Sequence, residues 1–327
     1  MKITDERKND LIKNYLDTED YNGILKLELQ EILYIYFVIS TKVKEDGEKD
    51  QNLLNKRNNV LNAVLIKIPQ LEKLYIAYSI TTDKPFIDND SQVWIFSDEE
   101  LAHEAAKHYI DQLITLNIKT IEHEKFLEEF AELSLLGIPK LLVDNGGFNT
   151  VIMMDNLVVK DDDENIKQNP ALKFSSVFFF QELYRTGTLK MTEEHNKIMI
   201  GLENKMMLAL ADSQLLVPVK IEGKHVADNE AVELKSTKNA QIPTLKPSDE
   251  DTLWMPAFTD WNEMLKMYSK DEWNAVIMGY EDLKSAFAGC DGIIINPSSP
   301  KVSIRLQKTQ ADKIDEIVKK RGNKKII

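Results

Sequence analysis

The stretch Trp254–Pro297 reads WMPAFTDWNEMLKMYSKDEWNAVIMGYEDLKSAFAGCDGIIINP. It opens on a short apolar strand ending Phe258-Thr259-Asp260, passes through two helical stretches and closes on a Gly-led apolar strand. A weaker echo runs from Trp94 to Asp144, opening on Phe96-Ser97-Asp98 and closing on the strand after Gly137. Element type and order must agree repeatedly for such an echo to arise, so the pair predicts a duplicated module. Around each copy the order is helix, strands, helix, strand, helix, glycine, hairpin. The fold class that follows is α+β: two tandem mixed α/β domains, each a small mixed sheet flanked by helices and ending in a β-hairpin.

Working outward, residues 1–45 form a helical lead-in. Leu11, Ile12, Tyr15 and Leu16 recur at helical spacing, as do Leu25, Leu29, Ile32, Leu33 and Tyr36; Leu25, Leu27 and Leu29 also alternate as in a strand. The first domain spans 46–160. It holds a helix Asn52–Ile68 stopped by Pro69, strands Leu74–Ile80 and Gln92–Phe96, and a helix to Tyr109. Ser97 with Glu100 reads as a capping box, and Asp98, Glu99 and Glu100 place negative charge at the positive helix end. A strand Ile114–Ile121 follows, then a helix His123–Leu135 with Phe126, Leu127, Phe130 and Leu133 or Ser134 inward, and a hairpin of Ile138–Val143 with Thr150–Met154.

Residues 161–190 hold an acidic linker, Asp161–Glu164, and a connecting helix, Ala171–Tyr184. The second domain spans 191–327. Its helix Glu193–Asp212 leads to a strand Gln214–Ile221, in which Pro218 marks an edge or a bulge. A polar excursion, Glu222–Ala240, precedes strands Gln241–Leu245 and Leu253–Phe258. Helices Asp260–Tyr268 and Tyr280–Ala288 flank a strand Asn274–Met278. The hairpin Gly292–Asn296 with Val302–Leu306 and a helix Thr309–Lys320 end the chain.

Composition narrows the function classes. With 327 residues and 43% hydrophobic content the chain can build two cores. A formal net charge of -13 and a pI near 5.0 oppose a phosphate backbone or an anionic membrane surface, so nucleic acid is a disfavoured partner. The basic run Lys319–Lys325 follows a helix, where cations complement the negative helix end. One cysteine excludes an intrachain disulfide framework, and the chain opens on no secretory signal, which together predict a cytoplasmic protein. The longest early apolar run, Ile32–Ile39, is far shorter than the about 20 residues a bilayer span needs.

With these elements placed, Leu208–Val219 (LALADSQLLVPV), Leu253–Asp260 (LWMPAFTD) and Gly292–Pro297 (GIIINP) resemble the N-terminal domain of the SseB family, named for enhanced serine sensitivity. They follow the family's order of helix, VP strand, P-x-FT turn and terminal INP, over about residues 193 to 308. Tyr75–Phe86 and Val93–Glu100 make the first module look like the divergent partner domain of two-domain relatives, with Val143-Asp144-Asn145 in place of the INP ending. The family has no established catalytic activity. The resemblance therefore implies no particular reaction, and it is the duplication without a catalytic constellation that motivates a binding or adaptor role.

No catalytic constellation stands out. His103 and His108 are five apart, diverging by about 140° around a helix, whereas a zincin pair lies within about 40°. They pair with Glu99 and Glu104 at i,i+4 instead. Asp161, Asp163 and Asn165 imitate an EF-hand start, but Ile166 stands where Gly must turn the loop. Cys290 reads as a small buried thiol, and the four tryptophans as core residues. No metal site or cofactor is expected. What remains is positional: Ser97, Asp98, Thr259, Asp260 and Asn296 sit at carboxyl ends of strands, where α/β proteins place ligand sites, and where Ser97 and Thr259 could equally cap helices. Two expectations follow: a non-catalytic adaptor that binds protein partners, and, alternatively, a small-ligand module, amino acids included, using Thr259, Asp260 and Asn296.

Overall fold

The structure, a computed structural model, describes residues 3–16, 21–158, 168–186, 192–220, 241–246 and 251–324. The acidic linker at 161–164 and the excursion at 222–240 lie outside the described residues. Contacts divide the chain into two units, Met1–Ser134 with Ile138–Lys160, and Leu135–Gly137 with Asp161–Ile327. Both are mixed α+β.

In unit 1, helices α1 (Asp5–Leu11), α2 (Tyr21–Ile24), α3 (Leu29–Glu45) and α4 (Gln51–Lys67) precede β1 (Lys73–Ser79), β2 (Lys84–Pro85) and β3 (Gln92–Phe96). Then come α5 (Glu99–His108), β4 (Leu116–Glu122), α6 (Phe126–Leu135), β5 (Lys140–Val143) and β6 (Thr150–Met153). The helical lead-in does not stand apart: Ile32, Leu33 and Ile39 on α3 are buried within this unit. No strand forms at Leu25–Leu29, because α3 begins there, with the Glu31 carboxylate accepting from the Glu28 N–H. On α6, Phe126, Phe130 and Leu133 face the core, but Leu127 is 80% exposed. It stands about 100° around the helix from Phe126, outside the 3–4 spacing of the inward stripe.

Unit 2 runs α7 (Pro170–Thr186), α8 (Glu193–Ala211), β7 (Gln214–Val219), β8 (Trp254–Ala257), α9 (Trp261–Leu265), β9 (Asn274–Gly279), α10 (Tyr280–Ser285), β10 (Gly292–Ile295), β11 (Ile304–Leu306) and α11 (Lys308–Lys324). Gln241 and Leu245 make isolated bridges to Lys220 and Trp254 in place of a regular strand. Pro218 lies on a strand paired with β9 and bridged to Phe258 through Leu216, so β7 is interior to the pairing and not an edge. Its core gathers Met206, Met207 and Leu210 of α8 against Val217, Ile293 and Ile295. No helix among the described residues is long and apolar enough to cross a membrane.

The two sheets pair in the same way. In unit 1 the order is β4-β1-β3-β5-β6, with β2 added to β1. In unit 2 the β7–β9 pair and the β8–β10–β11 sheet, joined by the Leu216–Phe258 bridge, give β9-β7-β8-β10-β11. Tyr75 faces Phe96 and Thr120, as Leu216 faces Phe258 and Ile277. β3 runs parallel to β5 and β8 parallel to β10, and each parallel pair is followed by an antiparallel hairpin strand. This topology brings the ends of the two parallel strands side by side in each unit.

Candidate functional site

In each unit a hydroxyl residue follows the first parallel strand, Ser97 directly after β3 and Thr259 after the bridging Phe258, and the residue after the second is Asp or Asn in the left-handed region. Asp144 has φ 56° and Asn296 φ 53°. Among residues that carry a Cβ, Asp and Asn tolerate that conformation best, because their short polar side chains hydrogen-bond locally. The backbone equivalence is close: Asp144 N donates to Ile95 O at 2.9 Å, and Asn296 N to Ala257 O at 2.9 Å.

The side chains then reach across. In unit 1, Ser97 N donates to Asp144 Oδ1 and Ser97 Oγ to Asp144 Oδ2, both at 2.7 Å. Gln30 of α3 donates its amide N–H to the same Oδ2. Ser97 is therefore not the helix cap. Asp98 is, accepting from Leu101 N at 3.0 Å. Asp144 is fully buried, and burial pushes its carboxyl above the ordinary aspartate range, against the opposing pull of the Ser97 and Gln30 donors.

In unit 2, Thr259 N donates to Asn296 Oδ1 at 3.0 Å, and Asn296 Nδ2 donates to Thr259 Oγ1 at 2.9 Å. An amide both donates and accepts, so the threonine proton is available to a third group. It goes to Asp260 Oδ2 at 2.9 Å. Asp260, not Thr259, caps α9 through Glu263 N at 2.9 Å, and Lys173 of α7 sits 2.9 Å from its carboxylate. Asn169 completes the joint. Its side chain bonds both the N–H and C=O of Gln214 and the Thr259 C=O, tying the start of β7 to the end of β8.

Beside this lies Glu263, whose carboxylate accepts from Ser298 and Ser299 at 2.9 Å each and from Lys266 at 2.6 Å. Burial works against its charge, but Lys266 and the two hydroxyls outweigh it and hold the carboxyl below the usual glutamate range. Cys290 is a half-buried thiol whose pKa is raised by burial. On α5, Glu99 lies 3.9 Å from His103.

The structure thus brings Thr259, Asp260 and Asn296 together, and separately Ser97 with Asp144. Asp98 stands at the head of α5 beside a cavity. Sequence reasoning did not find Gln30, Asp144, Lys173, Asn169 or Glu263. The one available signal was the Asp or Asn that ends each apolar strand, Leu142-Val143-Asp144 and Ile294-Ile295-Asn296. The polar atoms at these strand ends are bonded to one another, with Thr259 and Asp260 buried. The arrangement locks two strands and a helix start together.

A different feature of unit 2 can receive a molecule. A pocket of about 390 Å³ opens between α7, α8, α11 and the β10–β11 hairpin. Phe179, Phe180, Tyr184, Met206, Met207 and Leu210 form much of its wall. Its charged residues are already engaged: Glu203 pairs with Lys313 at 2.7 Å, and Arg305 lies 5.5 Å from the Trp254 ring centre.

Residues 201–309 match the family model described as the SseB protein N-terminal domain. The matched residues lie in unit 2 and include Thr259, Asp260, Asn296 and the β10–β11 wall of the pocket. No curated protein and no solved structure matches the chain.

Proposed function

We propose that this chain is a non-catalytic, cytoplasmic binding protein of the SseB type that holds a segment of a protein partner in the apolar pocket of unit 2. The observation that carries this reading is the pocket itself, lined by aromatic and methionine side chains within the domain that matches the family. Pockets of about 300–1,000 Å³ with mainly apolar walls bury the bulk of what they bind. Methionines adapt to partners of differing shape. The occupant is a bulky apolar side chain on a polypeptide, flanked by polar residues that meet Glu203 and Arg305, the charged residues of the lining.

Binding of a small polar ligand at Thr259, Asp260 and Asn296 has less support, since that would require breaking bonds those groups make with each other. The equivalent strand order and the equivalent Ser97–Asp144 and Thr259–Asn296 pairs support reading unit 1 as a divergent copy of the same domain.

A peptide-display selection on the full chain tests the reading. The expected result is a family of peptides sharing one large apolar residue, each bound about tenfold or more weakly by Phe180→Ala and Tyr184→Ala under conditions where circular dichroism shows both variants fully folded. Peptides that bind both variants as tightly as the parent chain refute it.

A further inference from the structure

The sheet of unit 1 ends on β6, which pairs with β5 alone. Just past the paired residues, Met154 N donates to Pro139 O at 3.0 Å. Antiparallel ladders alternate bonded and non-bonded pairs, so Thr150 and Ile152 also bond β5, while Val151 and Met153 turn their main-chain groups outward. Among the described residues no hydrogen bond meets Val151 or the Met153 N–H on that side. The side chains are exposed there too. Trp94, Leu142 and Val151 lie in one row across β3, β5 and β6, with Lys140 and Met153 in the next. Trp94 and Leu142 pack with Ala102 and Ala105 of α5, and Trp94 is 3% exposed. Val151 is 39% exposed and Met153 45%. The cover over this face runs out before the last strand.

Edge strands ordinarily carry charges or prolines that discourage a further strand. The opposite edge of this sheet, β4, holds Lys119 and Glu122. In unit 2 the last strand, β11, sets Arg305 against Ile294, where β6 sets Val151 against Leu142. Residues 150–154 carry no charge and no proline. Such an edge accepts another strand, and its own sequence fits it. Turned antiparallel about a two-fold axis through Ile152, β6 places Val151 opposite Met153 of a second copy. Each Met153 N–H then meets the Val151 C=O of the other copy, and each Val151 N–H meets the Met153 C=O. The row of Trp94, Leu142 and Val151 continues into Met153 of the second copy. Further out, Asn149 faces Asp155 of the second copy, so no like charges are opposed. Each chain carries a net charge of -13, which opposes association wherever acidic residues meet, and this edge avoids that.

We propose that two copies of this chain pair through β6 into one continuous antiparallel-joined sheet. The contact is isologous and uses the free edge of both copies, so it closes at two. It involves no residue of the apolar pocket in unit 2. Sedimentation equilibrium of the full chain at up to about 0.5 mM tests it. A monomer–dimer equilibrium is expected, weakened about tenfold or more by Val151→Lys, which gives β6 the kind of charge that Arg305 gives β11. Met153→Lys serves if that variant loses its fold. A cross-link reads the register. In a Cys290→Ser background, a mixture of Val151→Cys and Met153→Cys chains should form a disulfide with oxidised glutathione, because opposed Cα atoms stand about 5.5 Å apart. Neither variant by itself should, since each lies two residues along the strand from its own mate, beyond the about 7 Å that a disulfide spans. The proposal is overturned by a chain that stays monomeric, by a dimer equally tight in the lysine variants, by assembly that continues past two, or by single variants that cross-link as fast as the mixture.

Discussion

Exchanging the two strand-end residues, Asp144→Asn and Asn296→Asp, should have opposite consequences. Asp144 is buried and accepts three hydrogen bonds, two from Ser97 and one from Gln30. An asparagine there can keep all three: Oδ1 accepts from Ser97 N, Nδ2 donates to Ser97 Oγ as Asn296 Nδ2 does to Thr259, and the Gln30 amide turns over to present its oxygen. The buried charge disappears. Asp144→Asn should therefore lie within about 1 kcal/mol of the parent at neutral pH, or above it. Asp144→Ala has no such recourse. Three bonds at about 1 kcal/mol net each, and about 1 kcal/mol for alanine in the left-handed region, give a loss of about 4 kcal/mol. The pH dependence follows from the raised carboxyl. Folded Asp144 holds its proton more tightly than the unfolded chain does, so its contribution is full below the ordinary aspartate range and is lost as pH rises through its folded value. Asp144→Asn should flatten that slope. In unit 2, Asn296→Asp leaves one threonine proton between two carboxylates and removes a donor. It should cost about 2–3 kcal/mol at neutral pH and recover in part as pH falls. Hydrogen exchange of residues 92–98 and 254–260, corrected for intrinsic rates, reads each unit by itself. An Asp144→Asn loss equal to that of alanine, or an unchanged pH slope, refutes the reasoning.

Two further substitutions probe the same frame. A Cβ on Gly292 would stand 2.4 Å from the Trp254 ring, so Gly292→Ala should destabilise unit 2 by about 1–3 kcal/mol, read as a lower urea midpoint with altered tryptophan emission. Asn169→Ala removes three bonds to Gln214 and Thr259 from a residue at φ 44°, and should cost about 2–4 kcal/mol, seen as faster exchange at the start of β7 with unit 1 unaffected.

Much of the element pattern was legible because it is local. The strands at 92–96 and 292–295 are runs of apolar residues bounded by turn formers, and the helix after Asp98 carries its acidic first turn in plain view. The capping assignment went one residue astray for a physical reason. Ser97-x-x-Glu100 has the form of a capping box, yet the Ser97 hydroxyl finds Asp144, 47 residues on, and Asp98 takes the cap. Nothing near Ser97 records that partner. Thr259 repeats the case with Asn296, 37 residues away. The Leu127 error is of another kind: in Phe126-Leu127 either residue can begin a helical stripe, and only the positions of Phe130 and Leu133 decide between them. Gln241–Leu245 makes two isolated bridges among the described residues, and Pro243 in its middle has no N–H to give to a strand ladder.

The strand-end residues also explain how one joint diverged into two chemistries. With asparagine at 296, the hydroxyl of Thr259 can donate to Asp260, and the negative charge lies where Lys173 meets it at 2.9 Å. With aspartate at 144, the hydroxyl of Ser97 must donate to that carboxylate, because its single proton cannot also reach Asp98. Charge then lies on Asp144 with only neutral donors about it, which is why burial dominates there and the carboxyl is raised. Gln30 supplies the third donor that the carboxylate needs, and in turning its nitrogen inward it turns its oxygen outward. Asp98, not tied to Ser97, keeps the head of α5 and lines the cavity there. One amide-to-carboxylate difference between the units thus accounts for a pH-sensitive joint in unit 1 and a charge-paired joint in unit 2.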